Sequence, residues 1–355
     1  MRRFSTFAAL DRHPEVDDRP DPIRLHALAD QFDTGTSVAR LLRAMGPFVP
    51  DTDAFRFEND FAISIEQAVD FADMLSDELI QEIVEQAVFP YSAQLGGLDL
   101  NLLPFLETRL PDAVIDFVLG RLRRELAARL IDLAASPIGS DFGRCGGMAF
   151  AGYDCYLTGV PIDPAVTSPP AEGVLGDYIY DRLLDSLRLN IGTFTRWVVD
   201  LHLRGFLNEV AEQALAAAVG TVVFGPIGAA ISAFLAATTD IFDFPSGKEV
   251  LLDRTKREWT RLKQILDEQA AWPIGLVYGD KPALWDQHQV LAVGYTDDGG
   301  GRGTLAIWDN EDGNVRSELR LDFRGDELVT SGRRSNVKGL FHEQYRREQP
   351  PAGIS

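Results

Sequence analysis

The stretch that decides the fold is Ser140–Phe150, SDFGRCGGMAF. It places Cys145 after a glycine turn and directly before Met148–Tyr156, which is predicted to be helical. A thiol at a helix N-terminus feels the positive end of the helix dipole, which favours the thiolate. Gly146 and Gly147 lack side chains, so a substrate backbone could approach the sulfur. We therefore interpret Cys145 as a candidate nucleophile, with a buried structural cysteine beside an ordinary turn as the alternative.

A second stretch, near the C-terminus, supplies a candidate partner. Val290–Tyr295 and Thr304–Asp309 are predicted strands of branched and aromatic residues, joined by a glycine-rich turn. Residues equidistant from the turn of a hairpin face each other, and His288 and Asp309 are symmetric about the Asp298–Gly299 bond. A carboxylate beside a histidine fixes its tautomer and stabilises the imidazolium. The hairpin therefore predicts a histidine–carboxylate pair.

These motifs carry a resemblance to a known family. GRCGGMAF, WPIGLVYG, HQVLAVGY and a strand ending in IWDN resemble bacterial papain-like cysteine peptidases. They are most similar to the branch of the bacteriocin-leader-processing peptidases and their actinobacterial relatives. The resemblance covers roughly 139–323, with one insertion, and implies an α+β, papain-like fold in which the helix carrying the nucleophile packs on an antiparallel sheet. It also implies Cys145 as nucleophile, His288 as base and Asp309 as the residue that orients it, with Asn310 as the competing third member.

The chain departs from the family at the oxyanion site. Such enzymes usually carry a glutamine about six residues before the cysteine, and Gly139 stands there instead. Oxyanion stabilisation would then come from backbone N–H groups, including that of Cys145, or from a side chain such as Ser140. Three further residues are expected to bind substrate: Gly146, Gly147 and Gln287.

Composition narrows the classes of partner. The net charge of −20 argues against nucleic acid, because phosphate binding needs clustered Lys and Arg, and against anionic membrane surfaces. Two cysteines and scattered histidines do not form a four-ligand set at recognised spacings, so we predict neither a metal nor a cofactor. Cys155 is expected to be a core residue. The expected substrate is a peptide, a protein or another amide.

The 355 residues suffice for two domains, or for one large domain with insertions. Periodic apolar residues predict a helix over Ser64–Val88, ended by Pro90, and a second helix after Pro111. Two more helices are expected at Tyr178–Leu189 and Phe194–Leu203. Further expected elements are a helix at Asp253–Gln269 and strands at Ala271–Tyr278 and Val315–Phe323. We divide the chain into a loosely ordered leader (1–50), a helical region (51–138), a catalytic domain (139–345) and a frayed tail (346–355).

An uncharged stretch interrupts the catalytic domain within an insertion at about 205–245. Gln213–Thr239 contains no charged residue, is split by Gly225–Pro226 and has acidic flanks. Its length would allow a membrane span, but the central Gly–Pro and the small residues favour a helical hairpin. Two hypotheses stay open: a hairpin packed within the protein or against a second copy, and insertion into a membrane.

Two functions follow from these observations. The first is a thiol enzyme that cleaves or transfers an acyl or amide group: a peptidase, a deamidase or a transglutaminase-like enzyme. The alternative is an injected effector, toxin or binding protein whose apolar hairpin mediates membrane insertion or oligomerisation, with a papain-like domain of little or no activity. No secretory signal is apparent at the N-terminus, so a cytoplasmic location is the default expectation. Export by a specialised secretion or injection system stays open as well.

Overall fold

A computed structural model describes residues 46–61, 74, 76–96, 112–134, 143–170, 173–218 and 245–354. In this part of the chain, six α-helices accompany one six-stranded antiparallel sheet, so the fold class is α+β. Several sequence-based expectations lie outside these residues: most of the leader, the start of the Ser64 helix, Ser140 and the hairpin at Gly225–Pro226. No helix of the described ranges is both long enough and apolar enough to cross a lipid bilayer.

The elements follow one another along the chain with the helices first and the sheet last. The helices are α1 (Pro50–Asp53), α2 (Asp77–Gly96), α3 (Asp112–Ala134), α4 (Cys145–Thr158), α5 (Val174–Ala218) and α6 (Gly247–Glu268). The strands are β1 (Trp272–Tyr278), β2 (His288–Gly299), β3 (Arg302–Trp308), β4 (Arg316–Asp322), β5 (Val329–Gly332) and β6 (Val337–His342). Short 3₁₀ helices at Leu284–Asp286 and Asn310–Asp312 precede β2 and follow β3.

The sheet has the strand order β5-β4-β3-β2-β1-β6. All seven residues of β1 are buried, as expected for an interior strand covered on both faces. The two edge strands approach each other, since the Val337 backbone N–H donates to Thr330 Oγ1 at 3.0 Å. The sheet therefore curls. The strands predicted around 271–278, in the hairpin and around 315–323 are confirmed, whereas β5 and β6 were not predicted.

The β2–β3 hairpin has a different register from the expected one. Leu291 pairs with Trp308, and the turn lies at Gly300 and Gly301, which both adopt the positive φ that glycine tolerates. Two irregularities interrupt the ladder, one of them between Ala292 and Gly294. Strict pairing would therefore not place His288 opposite Asp309, and their contact depends on what the chain does after β3 ends.

Helix α4 lies at the centre of the main core, with Gly146–Tyr156 entirely buried. A Cβ at Gly147 would overlap the backbone carbonyl of Ile179 in α5, and one at Gly152 would overlap the Trp308 ring in β3. The helix ends at Gly159, whose φ of 68° allows the left-handed cap. Glycines therefore let α4 pack closely between α5 and the sheet.

Helix α5 is continuous, which corrects the prediction of two helices separated near residue 190. Asn190 lies in the gap between the two predicted helices, and its side chain is fully hydrogen-bonded. Its Nδ2 donates to the carbonyls of Ser186, at 2.9 Å, and Gln344, at 3.1 Å, while its Oδ1 accepts the Gln344 N–H. An asparagine whose polar groups are satisfied does not compete with the helix backbone, so the helix passes through.

Helix α2 departs from its prediction at both ends: Met74 and Ser76 are not helical, so it begins only at Asp77, and it continues past Pro90 to Gly96. The proline is exposed, while the next residue, Tyr91, is fully buried and donates from its hydroxyl to Asn208 in α5. Tertiary packing therefore outweighs the local cost of an interior proline. Together α2, α3 and the second half of α5 form a separate helical core, whose buried residues include Val84, Leu122 and Leu207.

Residues 46–61 pack on α4 and the sheet, not on the helical core. Phe48, Phe55, Phe57 and Phe61 belong to the same buried cluster as α4 and the sheet. Phe48 stacks on Trp308 with ring centroids 5.9 Å apart. This segment therefore lies beside the start of α4.

Candidate active site

Cys145 is the first residue of α4 and is half-buried with a free thiol. The first backbone hydrogen bond of this helix is donated by Met148 N–H to the Arg144 carbonyl. The N–H groups of Cys145, Gly146 and Gly147 precede it and belong to the unpaired first turn of a helix. The cysteine therefore lies at the positive end of the α4 dipole, as its sequence context predicted.

Contacts of the Arg144 side chain fix the position of the residue that precedes Cys145. Its buried guanidinium donates from Nη1 to the Gly176 carbonyl at 2.8 Å, at the start of α5. It also lies over the Phe61 ring, 4.5 Å from the centroid, and over the Tyr180 ring at 5.3 Å. These contacts hold the residue preceding Cys145 between α5 and the N-terminal segment.

His288 begins β2, pairs with Leu276 of β1 and is buried. Its Nε2 lies 2.9 Å from Asp309 Oδ1, which agrees with the expected contact. Burial alone would disfavour the imidazolium, but hydrogen bonds to Asp309 and Cys145, and the charges of these two groups, raise the pKa of His288 to about 10. Because Nε2 contacts Asp309, any further bond of the ring has to be made by Nδ1.

Asp309 reaches His288 because the chain turns at this residue. It caps the 3₁₀ helix that follows β3, and its Oδ1 accepts the Glu311 N–H at 3.3 Å. Arg334 donates to it twice, from Nε to Oδ2 at 2.5 Å and from Nη2 to Oδ1 at 2.8 Å. Burial opposes ionisation, but hydrogen bonds and charges from His288 and Arg334 outweigh it and hold the pKa of Asp309 well below its ordinary value.

Arg334 and Glu311 complete this charged cluster, and sequence analysis did not find them. Arg334 Nη2 donates to Glu311 Oε2 at 2.5 Å, and Glu311 Oε1 lies 3.7 Å from His288 Nδ1. One ligand atom each of His288, Asp309 and Glu311 lie within 4.8 Å of one another, close enough for the three to coordinate one cation. The guanidinium of Arg334, bonded to both carboxylates, already supplies a positive charge there.

Asn310, the other candidate for orienting the imidazole, makes different contacts. Its Nδ2 donates to the Cys145 carbonyl at 2.9 Å and to the Gln289 carbonyl at 3.0 Å. The backbone carbonyl of Asn310 accepts the backbone N–H of Asn59 at 3.0 Å. Asn310 therefore ties the start of α4 to β2 and to the N-terminal segment, whereas Asp309 contacts His288.

The three residues expected to bind substrate are used differently. Gly146 and Gly147 are buried, and a Cβ at Gly146 would overlap the Gln289 and Ser186 side chains, so these glycines serve close packing of α4. Gln287 lines the cavity beside Cys145, but its polar atoms bond the backbone: Oε1 accepts the Tyr278 N–H, and Nε2 donates to the carbonyls of two loop residues. It shapes the loop before His288. Cys155 is buried, as expected, and burial raises the pKa of its thiol to about 12.

Cys145 and His288 open into one cavity of about 380 Å³. One wall is apolar and comes from a single face of α5 together with the loop before β2: Leu183, Leu187, Ile191, Phe194, Leu284 and Trp285. The polar part of the lining includes Asn59, Lys281, Asp286, Glu311 and Arg334. The cavity therefore offers an apolar surface next to a thiol and an imidazole.

Comparison of the chain with protein-family models, with curated proteins and with solved structures gives no significant match. The interpretation of the site therefore depends on its own geometry and chemistry.

Proposed function

We propose that the protein is a cysteine-dependent enzyme with a papain-like arrangement that cleaves or transfers an acyl or amide group through a thioester intermediate. The observation that carries the proposal is the position of His288, which is buried, contacts Asp309 through Nε2 and lines the same cavity as Cys145. Cys145 is the nucleophile, His288 the acid and base, and Asp309 the orienting carboxylate.

In the first half-reaction, the Cys145 thiolate attacks the substrate carbonyl and a carbon–sulfur bond forms. The thiol proton resides on His288, which the raised pKa keeps protonated at neutral pH. The tetrahedral oxyanion then collapses, the carbon–nitrogen bond breaks, and the imidazolium gives its proton to the leaving amine. Asp309, held by Arg334, keeps His288 in the required tautomer.

In the second half-reaction, neutral His288 takes a proton from the acceptor as its oxygen or nitrogen attacks the thioester. The carbon–sulfur bond breaks, and the Cys145 thiolate and the imidazolium are restored. With water the products are those of a peptidase or deamidase, and with an amine the result is acyl transfer. Both outcomes use the same two residues.

The cavity lining supports a substrate with an apolar group next to the reacting carbonyl. Burying one Leu- or Phe-sized side chain is worth roughly 1.5–3 kcal/mol, which is enough to favour such substrates over polar ones. The apolar face of α5, represented by Leu187 and Phe194, would bind that group. The substrate class is thus a peptide, a protein or another amide with an apolar residue on its acyl side.

The test is a survey of cleavage and transfer products. A peptide library with free amines present is incubated with the wild-type protein and with Cys145→Ala, and the products are identified by mass spectrometry. We expect products that depend on Cys145, with apolar residues enriched on the acyl side, and an intermediate heavier by the acyl group on Cys145. His342→Ala, a buried histidine elsewhere in the sheet, is the matched control and should retain the products. Products that persist in Cys145→Ala, or no product from the wild type, would contradict the proposal.

A further inference from the structure

A thiol enzyme of this kind must stabilise the oxyanion that forms on the carbonyl, and one donor removed from such a site costs about 10²–10³-fold in rate. Gly139 stands where related enzymes carry a side-chain amide, and Ser140 lies outside the described residues. The N–H of Cys145, in the unpaired first turn of α4, can serve as one donor. A second donor has to come from another part of the chain.

Asn59 is the candidate for that donor. It lines the same cavity as Cys145 and is half-buried. The Arg144 N–H donates to Asn59 Oδ1 at 2.6 Å, so the oxygen end of the amide is assigned and the Nδ2 end is the one left to donate elsewhere. The backbone N–H of Asn59 donates to the Asn310 carbonyl, and Asn310 in turn bonds the Cys145 carbonyl.

Gly143 gives a second observation at the same place. It also lines the cavity, and a Cβ at this position would overlap the Asn59 amide at Nδ2, Cγ and Oδ1. Any other residue at Gly143 would therefore displace the Asn59 side chain from the wall beside Cys145. Asn59 is therefore held at two points: its side-chain Oδ1 accepts the Arg144 N–H, and its backbone N–H donates to the Asn310 backbone carbonyl. Gly143 leaves the room that the amide occupies.

We propose that the Asn59 side-chain amide, together with the Cys145 N–H, forms the oxyanion hole of this enzyme. This inference depends on the proposed function. Nδ2 donates to the carbonyl oxygen as negative charge develops on it, and no covalent bond to Asn59 forms or breaks. The N-terminal segment thereby contributes a catalytic residue from outside the α4–sheet unit, and it is anchored for that purpose by buried residues such as Phe57 and Phe61.

The experiment separates acylation, which needs an oxyanion hole, from alkylation, which does not. p-Nitrophenyl acetate acetylates a nucleophilic cysteine through a tetrahedral oxyanion, whereas iodoacetamide alkylates it by direct displacement at a saturated carbon. Both rates are measured at Cys145 by intact mass and peptide mapping. Their ratio cancels any change in the thiolate fraction or in access to the sulfur.

Two variants and one control are compared with the wild type. Asn59→Ala removes both the donor and the acceptor of Arg144 N–H, whereas Asn59→Asp keeps an acceptor and removes the donor. We expect the ratio of acetylation to alkylation to fall roughly 10²–10³-fold in both. Asn314→Ala removes an amide that donates to the Asp51 carbonyl, away from the cavity lining, and should keep the wild-type ratio.

An unchanged ratio in Asn59→Asp would overturn the assignment of Asn59. Equal losses in both reactions would also overturn it, because Asn59 would then only position Cys145. Failure of the proposed function has a different signature: wild-type protein whose acetylation rate does not depend on Cys145 rejects the enzyme itself, and the oxyanion hole with it.

Discussion

Two histidine–carboxylate pairs occur among the described residues, and the first of them lies at the cavity that Cys145 lines. His288 Nε2 contacts Asp309 at the end of β3, beside Cys145. His342, in β6, contacts Glu258 of α6: its Nδ1 and its backbone N–H, the latter at 3.1 Å, both face Glu258 Oε2. The second pair fastens a helix to an edge strand of the sheet, whereas the first lies at the wall of the cavity that Cys145 lines.

The difference teaches that a histidine–carboxylate pair is not by itself a site. Both histidines are buried, lie in strands and contact a carboxylate. What distinguishes His288 is a thiol at the start of a helix and space for a substrate. His342 is therefore the internal control for His288.

The largest expected effect is on turnover in the two histidine variants. His288→Ala should lower kcat/KM for any Cys145-dependent substrate by on the order of 10⁴–10⁶-fold, because the only acid and base of the mechanism is lost. His342→Ala should stay within about threefold when assayed below its melting temperature, because its pair acts on stability. Steady-state kinetics at one pH measures both. Comparable losses in the two variants would remove the distinction between the pairs.

The next largest effect is expected when Asp309, rather than its neighbour Asn310, is changed. Asp309→Asn should lower kcat by about 10²–10⁴-fold, since the amide no longer stabilises the imidazolium. It should also lower the pKa of His288, because the Asp309 hydrogen bond and charge raise it. Asn310→Ala should reduce stability, by loss of its bonds to the Cys145 and Gln289 carbonyls, and leave the pKa of His288 in place. NMR titration of His288 in the two variants distinguishes them, and a pKa that moves only in Asn310→Ala would reverse the assignment.

A smaller effect is expected on the pKa of His288 when the thiol is removed. Cys145→Ala deletes a hydrogen bond and a charge that raise this pKa, so it should fall from about 10. Because the pKa of His288 is raised on folding, the stability of the protein depends on pH. Because the folded protein holds the proton more tightly than the unfolded chain, the contribution of His288 is present in full below the ordinary pKa of about 6.5 and is lost as the pH rises through the folded value.

NMR titration and urea unfolding between pH 6 and 11 check both points. In both proteins the loss of stability should begin near the ordinary pKa of about 6.5, but in Cys145→Ala it should be complete at a lower pH and be smaller in total. A titration curve that is identical in the two proteins would show that Cys145 does not interact with His288.

The smallest change concerns the second pair. His342→Ala should lower the free energy of unfolding by about 1–3 kcal/mol, the cost of leaving a partly buried hydrogen-bonding group without its partner. His342→Asn retains a side-chain donor and should recover part of the loss. Chemical denaturation measures this, and a His342→Ala protein as stable as the wild type would show that the pair carries no structural role.

Sequence analysis could find the first pair because its members are local. His288 and Asp309 flank one hairpin, so the contact follows from chain connectivity, even though the bulged register differs from the simple one. Cys145 could be found because glycines and a helix start surround it. The Glu258–His342 contact joins residues far apart in the chain, and no local pattern indicates it.

Contacts between residues far apart in the chain also explain which site residues sequence analysis missed. Asn59 and Arg334 reach it from outside the hairpin and α4, and their roles depend on tertiary packing. Glu311 is the exception, since its position two residues after Asp309 is a signal that could have been used. Gly146 and Gly147 were expected to bind substrate, because in sequence a glycine that allows close packing of a helix looks the same as one that lets a substrate approach.

The predictions of where helices α5 and α2 break or end were wrong for a related reason. Asn190 and Pro90 are ordinary helix breakers in local terms, and the contacts that keep α5 and α2 intact lie elsewhere in the chain. Local preference therefore predicted the strands of the central sheet better than it predicted the ends of long packed helices.

The central claim is that His288 activates Cys145, and the rate of cysteine alkylation against pH tests it most directly. Wild-type protein and His288→Ala are treated with iodoacetamide from pH 5 to 9, and Cys145 is followed by peptide mapping. The buried Cys155 serves as the internal reference for an inert thiol. We expect wild-type Cys145 to react rapidly well below pH 8, where an ordinary thiol is mostly protonated, and His288→Ala to react appreciably only at alkaline pH. Identical pH profiles for Cys145 in the two proteins would contradict the account.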